Sequence, residues 1–85
     1  MYNKAGRLHD AGKYEEAIQL YIQLLNKDPD NKIWPDNAII MYDLGMAYLD
    51  SNNRIKAKEQ AQALRKINRE DLAIQLEGAM KSQDL

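Results

Sequence analysis

The chain has 85 residues, with 12 Lys and Arg against 13 Asp and Glu, a net charge of −1 and no cysteine. Those totals allow one small domain, exclude disulfides and thiolate metal sites, and argue against a dedicated nucleic-acid binder, which carries a basic surplus. The longest apolar run, Ala38-Ile39-Ile40-Met41-Tyr42, is five residues, far short of the roughly 20 of a membrane helix. Neither membrane insertion nor, from Met1-Tyr2-Asn3-Lys4, a signal peptide is expected, which points to a cytoplasmic location.

Val, Thr and Phe, three residues that strands favour, are absent, and Ala, Leu, Glu, Gln, Lys and Met take their place, so an all-α domain is expected. The first helix spans about Tyr2 to Ala11, with Ala5 and Leu8 on one face and Gly12 as its stop. The second spans about Tyr14 to Lys27, with an apolar stripe of Ala17, Ile18, Leu20, Tyr21, Leu24 and Leu25. Glu15 and Glu16 suit its first turn, and Asp28-Pro29 ends it. After the linker 32–36, Asp36 is the expected N-cap of a third helix, about Asn37 to Asp50. Ser51-Asn52-Asn53 turns the chain, and Asn53 caps a fourth helix, about Arg54 to Ile67. Asn68 is expected to cap a fifth, about 69–81, with Glu70 and Asp71 in its first turn, and Ser82 to Leu85 to fray.

An internal repeat organises these helices. Ala5, Leu8, Gly12, Ala17, Tyr21 and Leu24 stand 40 residues before Gly45, Tyr48, Asn52, Ala57, Ala61 and Leu64. Small residues meet small ones, and large apolar ones mostly meet large ones. Met41-x-x-Leu44-Gly45-x-x-Tyr48 and Gly12-Lys13-Tyr14-Glu15-Glu16-Ala17-Ile18-x-x-Tyr21-x-x-Leu24-Leu25, with Asp28-Pro29, resemble the two helices of the tetratricopeptide repeat family. The resemblance covers about residues 1–68. It implies an all-α helical-hairpin solenoid: hairpin 1 about 1–31, hairpin 2 about 37–67, and a capping helix about 69–81. The family period is 34, and residues 32–37 are the natural place for the six extra. Ala5 and Gly45 are expected where the two helices of a hairpin cross closely, answered by Ala17 and Ala57. Lys58 and Arg65 replace Ile18 and Leu25 at positions that pack on the next repeat in the family. They are expected to keep the C-terminal end polar and to leave the free apolar surface toward the N-terminus and the groove.

No nucleophile–base pair follows from the spacing, and His9, the one histidine, has no second soft metal ligand. Neither an enzyme nor a cofactor is expected. The sharpest functional signal is the third helix, apolar on nearly every side. Leu44, Gly45, Ala47 and Tyr48 fit the packing face, which leaves Ile39, Tyr42, Met46 and Leu49 as a second stripe. In the family, that face of the first helix of each hairpin lines a concave groove where peptides dock. The matching face of the first hairpin carries Tyr2, Asn3, His9 and Asp10. The expected partner-binding set is Tyr2, Asn3, His9, Ile39, Tyr42, Asp43, Met46 and Leu49, receiving an apolar or helical segment of a protein partner. The alternatives are that Ile33 and Trp34 fold over the stripe, or that the unit self-associates as a homo-oligomer or belongs to a longer array. Some family members grip a chaperone's terminal carboxylate with Lys, Asn and Arg. Here Tyr2, Gly6 and Asp43 stand at the matching places, and a carboxylate at Asp43 repels that ligand. Arg54, Lys58 and Arg65 form a basic side of the fourth helix, within a C-terminal part, residues 54–85, of net charge +2. An acidic partner surface would compensate it; a solvated outer face is the plainer reading.

Overall fold

The computed structural model describes residues 2–27 and 37–83, and among them the chain forms five α-helices and no strand. These are α1 (Tyr2–Asp10), α2 (Tyr14–Lys27), α3 (Asn37–Asp50), α4 (Arg54–Lys66) and α5 (Glu70–Gln83). The spans of α2 and α3 are those the apolar period predicts. Ser82 and Gln83, expected in a fraying tail, belong to α5. The Asp28-Pro29 stop, the linker with Ile33 and Trp34, and the Asp36 cap lie outside the described residues.

Three turns share one geometry. Gly12, Asn52 and Asn68 all have positive φ, at 80°, 65° and 63°. At each, two N–H groups reach back to the last helical turn: Lys13 to Leu8 and Gly12 to His9, Asn53 to Tyr48 and Asn52 to Leu49, Arg69 to Leu64 and Asn68 to Arg65. This pair of bonds satisfies carbonyls that the helix end would otherwise leave unpaired. Glycine adopts the left-handed conformation without penalty, and asparagine tolerates it better than other side chains. Asn53 caps α4 as expected, its side chain accepting from the Lys56 N–H at 3.2 Å. Asn68 departs from expectation. It does not cap the start of α5; it closes the end of α4, and Arg69 provides the first carbonyl of α5, 3.2 Å from the Ala73 N–H.

The turns join α1 to α2, α3 to α4 and α4 to α5 as packed neighbours, while α2 packs on α3 and α5 on α3. The result is a slab 37 × 30 × 16 Å. So thin a layer needs small residues at the crossings, and Ala5, Ala17, Ala38, Ala47, Ala57, Ala61 and Ala73 are all buried. Leu44, Leu49, Leu64 and Leu76 are the largest fully buried side chains. Gly45 is small for a reason the hairpin crossing does not supply by itself. A Cβ there would lie 2.5 Å from Leu76 Cδ2, so it makes room for a leucine of α5.

The apolar surface is also distributed otherwise than Lys58 and Arg65 suggest. Among the described residues the large exposed hydrophobics are Ile55, Ile67 and Ile74, all in the C-terminal half. The two cations do not keep that end polar: Arg65 pairs with Glu77 of α5, and Ile55, Ile67 and Ile74 stay exposed.

Candidate partner-binding groove

The groove is built by α1 and α3, the first helices of the two hairpins. Tyr2 and His9 are seven residues apart on α1, and Asp43 and Asp50 are seven apart on α3. Seven residues are about two helical turns, so each pair shares one face. The Tyr2 hydroxyl donates to Asp43, and His9 Nε2 lies 2.6 Å from Asp50 Oδ2, placed for the ring N–H to donate to the carboxylate. Both contacts span 41 residues, so two parallel rungs tie α1 to α3.

Helix α2 supports both rungs. Tyr21 meets the Tyr2 ring edge to face at 6.2 Å, and Tyr14 meets His9 at 5.5 Å. Burial pushes the Tyr2 hydroxyl well above the usual tyrosine range, with the hydrogen bond to Asp43 adding to it. Burial, then the nearby Asp43 charge, pushes Tyr21 up to about 12. The Asp43 carboxyl is also raised, because its burial outweighs the hydrogen bond from Tyr2 and the field of His9. Tyr2 and Tyr21 therefore stay neutral near neutral pH and act as donors and apolar surface.

A cavity of about 520 Å³ opens beside the first rung. Of the expected contact residues, Tyr2, Asn3, His9 and Asp43 line it. Gly6, Arg7, Asp10 and Tyr21 complete the wall. Gly6 has open space where a Cβ would stand, so no neighbour in the described structure demands a glycine there. Ile39, Tyr42 and Met46 are half-buried along α3 and do not line this cavity. Leu49 was expected on the groove face and is instead 1 % exposed, a core residue with no surface for a partner. The stripe considers one helix alone, whereas α3 packs against α2, α4 and α5, and Leu49 near its C-terminus is buried. Asp50, Arg7 and Tyr21 were missed. The common seven-residue spacing of Tyr2 and His9 with Asp43 and Asp50, set against the 40-residue repeat, is the signal that would have found the rungs.

The helical hairpins in register, the small residues at their crossings and the groove between first helices make a pattern that a known family model describes. The tetratricopeptide repeat model matches residues 8–80. The chain belongs to the tetratricopeptide repeat family. No curated protein and no solved structure matches it. Tetratricopeptide repeats generally mediate protein–protein interaction and are typically non-catalytic. Among the described residues no group of three or more His, Asp or Glu is arranged to hold a metal ion, and no helix is long and apolar enough to cross a membrane.

Proposed function

We propose that this tetratricopeptide repeat unit is an adaptor or scaffold module that receives a segment of a partner protein in the groove between α1 and α3. The observation that carries this reading is the cavity beside the Tyr2–Asp43 rung. The rungs hold the two helices at a set separation, so the groove is formed before a partner arrives, which lowers the ordering cost of binding. Asn3 and Arg7 are exposed on its wall, and Gly6 leaves the α1 backbone open to close approach. Amide and guanidinium groups beside two tyrosines favour a polar peptide backbone with an aromatic or aliphatic anchor over a purely apolar segment.

A photo-crosslinking residue at Arg7 tests this against the same residue at Gln19, which is exposed on α2 away from the cavity. A partner should be captured from the Arg7 position alone, and the double variant Asn3→Arg, Arg7→Glu should lose it with unchanged helicity. Equal capture from both positions, or capture that survives the folded double variant, would place binding elsewhere.

A further inference from the structure

A second concave surface, lined by none of the groove's residues, lies between α4 and α5. Its cavity is about 650 Å³. The floor is apolar: Ile55 is 78 % exposed, Ile74 is 59 % exposed, and Met80 is half-buried beside them. Isolated exposed apolar residues are ordinary, but two large ones converging on one concavity mark an interaction surface.

The rim is basic. Arg54, Lys58 and Lys81 line the cavity, and the one acidic group among its described lining residues, Glu77, is held by Arg65. Arg54 is anchored, its guanidinium donating to the Met80 carbonyl at 3.3 Å. Lys58 and Lys81 have no acidic partner among the described residues. The first turn of α4 has no acidic residue and carries Arg54 and Lys56, so these cations add to the positive end of the helix dipole. Gly78 sits in the middle of α5 on this wall, and a Cβ there would meet nothing within 4 Å. A glycine inside a helix weakens it relative to alanine, and no packing in the described structure explains this one.

We propose that the α4–α5 cleft is a second docking site, for an acidic amphipathic helix of a partner protein. Its aliphatic side chains would rest on Ile55 and Ile74, its backbone would approach over Gly78, and its carboxylates would face Arg54, Lys58 and Lys81. Charge complementarity selects this occupant. A second copy paired two-fold through this cleft fits poorly, because it would set Arg54, Lys58 and Lys81 against their own copies. A third helix lying across a helix pair is also how this molecule already packs, with α5 on α3 and α4.

The probe is a synthetic amphipathic peptide of about 15 residues, long enough to be marginally helical alone, with a leucine stripe flanked by glutamates. Its control replaces every glutamate by lysine. Fluorescence anisotropy on the whole chain should show binding of the acidic peptide alone, weakening as salt screens the rim. The double variant Lys58→Glu, Lys81→Glu should weaken it by about tenfold or more, and Ile55→Ser with Ile74→Ser should also weaken it, all at exposed positions that leave helicity unchanged. Gly78→Ala should raise the thermal midpoint while weakening the peptide severalfold, separating the site from the fold. Equal binding of both peptides, no binding of either, or retention of the acidic peptide by the folded Lys58, Lys81 variant would overturn the proposal. So would sedimentation showing a dimer that Ile74→Ser dissolves, since a second copy would then be the occupant. The variant Asn3→Arg, Arg7→Glu should bind the acidic peptide normally; loss there would assign the peptide to the α1–α3 groove and refute the second site without touching the first.

Discussion

Single side chains decide more here than their size suggests. Gly45 exists because Leu76, fully buried, occupies the space of its Cβ. Gly45→Ala gains about 1 kcal/mol of helix propensity but overpacks a filled site at a cost of about 1–3 kcal/mol, so a net loss of up to about 2 kcal/mol is expected. Leu76→Ala alone should cost about 2–5 kcal/mol. In that background the obstruction is gone, and Gly45→Ala should change sign and become stabilising; urea denaturation of the four proteins measures the coupling. Asp43 offers a second case. Its carboxyl is raised above the ordinary 3.8, so the folded state holds the proton more tightly than the unfolded chain does. Stability contributed by this group therefore falls as pH rises from 3.8 through the raised value, and stays lower above it. Asp43→Asn keeps an acceptor for the Tyr2 hydroxyl and removes the buried charge. Its thermal midpoint should exceed that of the parent near neutral pH, and the difference should shrink toward about pH 4.

Elements are joined by one repeated device. Gly12, Asn52 and Asn68 each place a left-handed residue just beyond a helix, and each turn returns two N–H groups to the helix it leaves. The conformation costs an ordinary L-residue about 1–2 kcal/mol and glycine nothing. Asn68→Ala should therefore lose roughly 1 kcal/mol in chemical denaturation, while Asn68→Gly should be neutral or slightly stabilising. If Asn68 instead capped α5 with its side chain, both replacements would remove the cap, but alanine and glycine would then rank by the milder preferences of an N-cap site. The same pair at Asn52 should behave alike, because the backbone bonds around it are the same.

At the scale of the molecule, a slab 16 Å thick has little interior. A domain of this length buries only about 60–65% of the surface its unfolded chain exposes, which makes pairing an obvious remedy. The charge pattern opposes it at the most apolar place. A two-fold interface sets each patch against itself, so pairing through the α4–α5 cleft would bring Arg54, Lys58 and Lys81 against their own copies. A monomer is expected, with a thermal midpoint that holds steady across about a hundredfold dilution. A midpoint that falls on dilution, with light scattering above the monomer mass, would establish self-association.

The helices were legible because helix formation is local. Bonds run from one residue to the fourth before it, the apolar period is short, and the turn residues sit where the chain needs them, so α2 and α3 could be placed to the residue. The family motif added the hairpin arrangement, since small residues recurring at fixed spacing imply close crossings. Half of the groove was legible through the family resemblance: Tyr2, Asn3, His9 and Asp43 stand at positions that the resemblance assigns to the groove. Leu49, Gly45, Asn68 and Arg65 were not. Leu49 is buried because α3 is enclosed on more than one side, Gly45 answers a leucine 31 residues away, Asn68 closes one helix where it was expected to open the next, and Arg65 turns to Glu77. For Leu49, Gly45 and Arg65 the outcome depends on where a different helix comes to rest, to within the length of a side chain. For Asn68 it depends on one backbone angle at the turn. A one-dimensional pattern carries no information at that resolution, because many crossings and turn geometries satisfy the same spacing and only close packing selects among them.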